Sequence, residues 1–169
     1  RGQLAVDDLD RADVWLTNCL SLVDELNWLS FRPWPIALLA ETRLRRGDDV
    51  VAIRKPLEEA YALSRQLCDP CWEAACARAF ALTFSAEGDY ETALQWLDIA
   101  YLSCARATDP FVRLKVEILA RQAEISRQHG HHRTADAFAR EWVSLAARTH
   151  MDAHVERASA FISQSAETA

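Results

Sequence analysis

The sequence predicts an all-α fold, a right-handed α-α superhelix of about eight antiparallel helices stacked in pairs. Three observations predict it. Four glycines and five prolines in 169 residues offer too few turns for a chain of short strands, which need frequent breakers. Two segments align without gaps at an offset of 40: residues 57–70 (LEEAYALSRQLCDP) and 97–110 (LDIAYLSCARATDP) share Leu57/Leu97, Ala60/Ala100, Tyr61/Tyr101, Asp69/Asp109 and Pro70/Pro110. A glycine marker recurs on nearly the same period, in RRGDD, AEGDY and QHGHH, with Gly47, Gly88 and Gly130 spaced by 41 and 42 residues.

The elements follow in order. Leu9, Ala12, Val14, Leu16, Cys19, Leu20, Val23 and Leu26 give a broad apolar face to a first helix over 8–27. A second helix covers 34–46 and stops at Gly47, placed for a left-handed C-terminal cap. The third covers 50–67; Pro56 lies inside it and either kinks it or marks a late start after a loop. The fourth, 70–87, carries Ala77, Phe80, Ala81 and Phe84 at helical spacing and stops at Gly88. Further helices are expected at 90–107, 111–129, 133–149 and 152–165. The links are only a few residues long, so consecutive helices must be antiparallel neighbours.

Composition narrows the function. The chain is 50% hydrophobic and 26% charged, ordinary for one globular domain, and residues 1–169 read as a single repeat domain. It lacks an initial Met and is expected to be a piece of a longer protein. A net charge of −6 disfavours a main role in contacting nucleic acid, where phosphate neutralisation supplies most of the affinity. No apolar run approaches the roughly 18 residues of a membrane span. Five cysteines at irregular spacing favour a reducing, cytoplasmic setting. The arginines Arg43, Arg45 and Arg46 read as a solvated helix end, where cations oppose the dipole.

The stretch CDPCWEAAC, residues 68–76, has the look of a thiol site. The repeat argues otherwise: Asp109-Pro110 holds the place of Asp69-Pro70 without flanking cysteines. Asp as N-cap and Pro in the first turn start a helix, so Cys68 should end one helix and Cys71 begin the next. A redox pair would normally follow a strand, and a zinc site needs a second ligand pair. His129, His131 and His132 occupy a glycine turn that splays them, so no metal or other cofactor is expected. No nucleophile stands beside a base at catalytic spacing and no phosphate loop occurs; the chain does not read as an enzyme.

Residues 80–100, FALTFSAEGDYETALQWLDIA, resemble the tetratricopeptide repeat through Phe80, Ala81, Phe84, Gly88, Tyr90, Ala93, Leu97 and Ala100. Leu57/Ala60 and Leu16/Cys19 look like weaker copies of Leu97/Ala100, and Gly130 and Ala135 copy Gly88 and Ala93. The period near 40, longer than the usual 34, is similar to the helical arrays of MalT-like, LuxR-family bacterial transcriptional regulators. That resemblance implies an array that senses an inducer or binds partner proteins, with DNA reading done elsewhere in the parent protein. Alternatives are a stand-alone docking or oligomerisation scaffold and a small-molecule sensor.

In such a stack the first helix of each pair lines the concave surface. Positions ten, six and three residues before each glycine should face it: Ala37, Glu41 and Leu44; Arg78, Leu82 and Ser85; Ala120, Glu124 and Arg127. Trp34 and Glu117 lie further up the same helices. The expected partner surface is therefore Trp34, Glu41, Arg78, Ser85, Glu117, Glu124 and Arg127, a groove of mixed charge for a protein or peptide, or for a small-molecule inducer. Trp15, Trp28, Trp72, Trp96 and Trp142 read as fillers between helices. The first helix is apolar enough to pair with a second copy or with missing upstream chain, and the last, with Glu156, Arg157, Ser163 and Gln164 on its outer face, suits a cap.

Overall fold

A computed structural model describes residues 8–107 and 111–167. Among these the chain forms eight α-helices and no strand: α1 (Leu9–Glu25), α2 (Pro33–Arg46), α3 (Val50–Gln66), α4 (Pro70–Ala86), α5 (Tyr90–Arg106), α6 (Val112–Gln128), α7 (His132–Arg148) and α8 (Asp152–Glu167), with one 3-10 turn at Leu29–Phe31. Each helix packs on its neighbours in sequence, and α2 packs in addition on α4, and α4 on α6. Two layers result: first helices α2, α4, α6 and α8, and second helices α1, α3, α5 and α7. No described helix is long and apolar enough to cross a membrane.

Local chemistry fixes the ends. The side chains of Asp8, Asp49, Asp69 and Asp89 accept backbone N–H bonds at the starts of α1, α3, α4 and α5, satisfying donors that a helix start leaves open. First helices end on left-handed glycines, Gly47, Gly88 and Gly130. The second helices α1, α3 and α7 end on Asn27, Cys68 and His150 at φ of 50°, 53° and 55°. In all six ends the amide after the left-handed residue reaches back five residues, as in Asp69 to Ser64 at 3.0 Å and Asp89 to Phe84 at 3.0 Å. This is the Schellman closure. Helix α3 runs unbroken from Val50, so the late start considered for it does not occur, and Pro56 lies within it.

The second helices share a register. They begin at 9, 50, 90 and 132. Position 4 of each is Ala12, Ile53, Ala93 or Ala135, and all four are buried. Positions 8, 11 and 15 are Leu57, Ala60 and Ser64 in α3, Leu97, Ala100 and Cys104 in α5, and Ala139, Trp142 and Ala146 in α7; all are buried. Small residues here let α4 and α5 approach closely, the most extensive packing in the molecule. Trp142, the large residue in this small-residue row, is itself 1% exposed. Helix α8 packs on α7, burying Ala158 and Phe161 beside Trp142 while Glu156, Ser159 and Ser163 face water.

Candidate functional site

The first-helix layer brings together three of the expected groove residues. Arg78 on α4 forms an ion pair with Glu41 on α2, and its Nη1 lies 3.6 Å from Glu117 on α6. Arg113 adds a 3.3 Å bond to Glu117. The charges were expected to be exposed; Glu41 is 8% and Arg78 4% exposed. Close approach of α2, α4 and α6 removes water from the strip, so each charge must find an opposite one. Burial alone would push the Arg78 guanidinium down, but Glu41 and Glu117 reverse this and leave it above its ordinary value. Ala37 and Ala120, also expected on the open surface, are buried.

The other expected residues are engaged in holding the stack. Trp34 is half-buried, its ring 5.1 Å from Trp72 of α4 and 5.4 Å from Phe111, the residue that precedes α6. Glu124 pairs with Arg121 at 2.6 Å and with Arg157 of α8 at 3.4 Å. Arg127 lies 3.4 Å over the Phe161 ring and donates to the Phe161 carbonyl at 3.2 Å. Ser85 is half-buried near the end of α4. The row is a seam between helices more than a set of free charges.

The thiols follow the turn reading. Cys68 is the left-handed cap residue of α3 and is exposed. Asp69 accepts from the Cys71 and Trp72 amides at 3.0 and 3.1 Å. The matching Asp109-Pro110 lies outside the described residues. Burial, with Cys71 nearby, pushes the Cys104 thiol up to about 12, and burial raises Cys76 further; neither becomes a thiolate nucleophile near neutral pH. The glycine turn does not splay His129 and His131 as expected: their rings pack at 5.0 Å, with Tyr90 against His129 at 5.6 Å. At the end of α2, Arg45 and Arg46 are exposed as expected of a solvated helix end; Arg43 bonds Asp13 of α1 at 3.0 Å, and Arg46 bonds Asp48 of the following turn at 2.5 Å and lies 3.7 Å from Asp13.

An open apolar surface lies on α1, the helix whose apolar character already suggested a pairing face, though Trp15 and Trp28 were not expected to form it. Trp15 is 63% exposed, Leu22 54% and Leu26 63%, with Trp28 and Leu29 exposed beside them. Trp15 and Trp28 are therefore not gap fillers. In the shared register Trp15 corresponds to Trp96 and Phe138, both half-buried, and Leu22 to Leu63, Ser103 and Leu145, none of which is exposed. Trp96 stacks on Phe80 of α4, its own first helix, at 4.6 Å. Helix α1 packs on α2 but, among the described residues, has no preceding first helix of its own pair against its other face. Its Leu16/Cys19 match to Leu97/Ala100 carried this signal in the sequence.

No protein-family model matches the chain, and no curated protein matches it in sequence.

Proposed function

We propose that this array is a non-enzymatic, tetratricopeptide-like interaction module, and that its docking surface is the apolar face of α1. The observation that carries the reading is the contrast in one register between exposed Trp15 and packed Trp96. What fits Trp96 is an antiparallel helix offering an aromatic side chain amid alanines, as α4 does with Phe80, Ala77 and Ala81. The occupant of α1 is accordingly an amphipathic helix with a small-residue and aromatic stripe. Helix α1 carries Asp10, Asp24 and Glu25 on exposed positions against one exposed cation, Arg11. A partner helix with basic flanks complements it, whereas a second α1 would set acid against acid.

The resemblance of residues 80–100 and the period near forty support a setting in a MalT-like, LuxR-family bacterial regulator, in the cytoplasm, where an array of this kind receives a signal from a partner. The mixed-charge seam of Glu41, Arg78 and Glu117 then sets the curvature and spacing of the stack, and the peptide contact lies at its end.

The test uses a fluorescent peptide copying residues 69–88, with its cysteines replaced by serine and two lysines added at each end. It should bind, and Trp15→Ser with Leu22→Ser should abolish binding without lowering the melting temperature. The same peptide flanked by glutamates should bind more weakly. Equal binding to the double variant overturns the assignment, as does a concentration-dependent dimer in sedimentation that the double variant abolishes, since that makes a second copy the occupant.

A further inference from the structure

The turn between α6 and α7 reads His129-Gly130-His131, and the matching turn between α4 and α5 reads Glu87-Gly88-Asp89. The two backbones follow one plan. Gly88 and Gly130 are left-handed at φ 81° and 79°. The Gly88 N–H donates to the Ser85 carbonyl at 3.1 Å and that of Asp89 to Phe84 at 3.0 Å; the Gly130 N–H donates to Arg127 at 3.0 Å and that of His131 to Ser126 at 2.9 Å. The side chains differ. Asp89 is the N-cap of α5, and its carboxylate accepts from the Thr92 N–H. His131 is the N-cap of α7 and makes no side-chain cap bond. A capping carboxylate stabilises a helix start; this turn forgoes it and sets an imidazole in its place.

That imidazole goes to the other one. The rings of His129 and His131 stand 5.0 Å apart at 64°, and Tyr90 of α5 packs on His129 at 5.6 Å. No metal was expected at this turn because its glycine was read as splaying the rings, and the ring contact removes that reason. Two imidazoles on one metal have a defined separation. With a metal–nitrogen bond of about 2.0–2.1 Å and the ring centre about 1.1 Å behind the nitrogen, the centroids stand about 4.5 Å apart for a right-angled pair and about 5.2 Å for a tetrahedral one. The observed 5.0 Å falls inside that interval. Both histidines are exposed, so an ion reaches them without opening the fold. The bond that carries an imidazole turns easily, and its rotation aims the nitrogens at a common point.

We propose that His129 and His131 form a two-histidine site for a divalent transition metal, of which zinc, copper and nickel suit imidazole best. Among the described residues no group of three or more histidine, cysteine or acidic side chains is placed to hold a metal, so the protein supplies two donors and water completes the shell. His129 is the C-cap of α6 and His131 the N-cap of α7; a bound ion clamps the turn that joins these helices. The site does not involve the apolar face of α1 and is independent of a docked helix.

The probe is the zinc ion alone, titrated into the full chain carrying Cys68→Ser, which removes an exposed thiol as a competing ligand. Calorimetry reads the stoichiometry, and nitrogen-15 spectra of the imidazoles identify the ligands. A single equivalent should bind, with the ring nitrogens of His129 and His131 shifting together. His129→Ala and His131→Ala should each lose this binding as fully as the double variant, because chelation needs both rings; melting curves establish that each variant is folded. His132→Ala, which removes the neighbouring exposed imidazole, should bind as the parent does. The proposal fails if neither ring shifts, if the two rings shift in separate steps, if either single variant keeps the binding, or if His132→Ala abolishes it.

Discussion

Trp15 and Trp96 hold the same position of the repeat, yet Trp96 is stacked on Phe80 at 4.6 Å and Trp15 is 63% open to water. The difference is the helix opposite, present as α4 for one and, among the described residues, absent for the other. Substitution should report it directly. Trp96→Ala should cost about 3 kcal/mol, from lost burial and the cavity left behind. Trp15→Ala should change stability by less than about 0.5 kcal/mol, as at other exposed sites. Urea denaturation of the two variants measures both.

The Glu41–Arg78–Glu117 seam makes a second prediction. Arg78→Ala leaves two carboxylates in a dry strip and should destabilise the array by about 3–5 kcal/mol. Replacing all three by methionine removes the uncompensated charges together with the pairing, and should restore most of that loss. Thermal melts of the single and triple variants decide it; equal melting temperatures would mean that the strip is wetter than its burial implies.

Backbone handedness gives a third. A Cβ added at Gly88 meets nothing within 4 Å, and its φ is 81°, so Gly88→Ala isolates the conformational cost, about 1 kcal/mol. Cys68 already carries that cost at φ 53°. Cys68→Gly should therefore raise stability, by about 0.5 kcal/mol after the added freedom of the unfolded glycine is discounted. Chemical denaturation resolves both signs.

Thiol chemistry supplies a fourth. Exposed Cys68 should react first with a maleimide, and Cys76 and Cys104 only on unfolding. Burial favours the neutral thiol, which holds Cys104 at about 12 in the folded chain against an ordinary value of 9.0. A raised folded value means full stabilisation below the unfolded range and its loss as pH climbs towards the folded one. Melting temperature should thus fall across about pH 9 to 12, and Cys104→Ala should flatten part of the slope.

Much of the fold was legible because its punctuation is local. Asp69 with Pro70 starts a helix and Gly88 ends one by chemistry confined to a few neighbours, so the expected spans lie within about two residues of those observed. That Glu41, Arg78 and Glu117 share one surface was legible from spacing; their pairing and burial were not, because both depend on how closely α2, α4 and α6 approach. Trp15 was misread as a filler for a related reason. A tryptophan at a packing position is buried only if something stands opposite, and periodicity specifies the position without supplying the neighbour. Pro56 drew notice as a helix breaker, whereas its larger effect is on packing: it holds in α3 the position that Trp96 holds in α5, and it lines an apolar gap between α1 and α3.

The two ends of the stack are unlike. Helix α8 turns Glu156, Ser159 and Ser163 outward, while α1 presents Trp15, Leu22 and Leu26. Placed head to tail, two copies would press indole and leucine onto serine and glutamate, stranding polar groups with no bonds to make. Such a joint would repeat indefinitely if it formed, since head-to-tail contacts that do not close produce fibres. Ser159 and Ser163 on α8 therefore disfavour a head-to-tail joint between copies of this array.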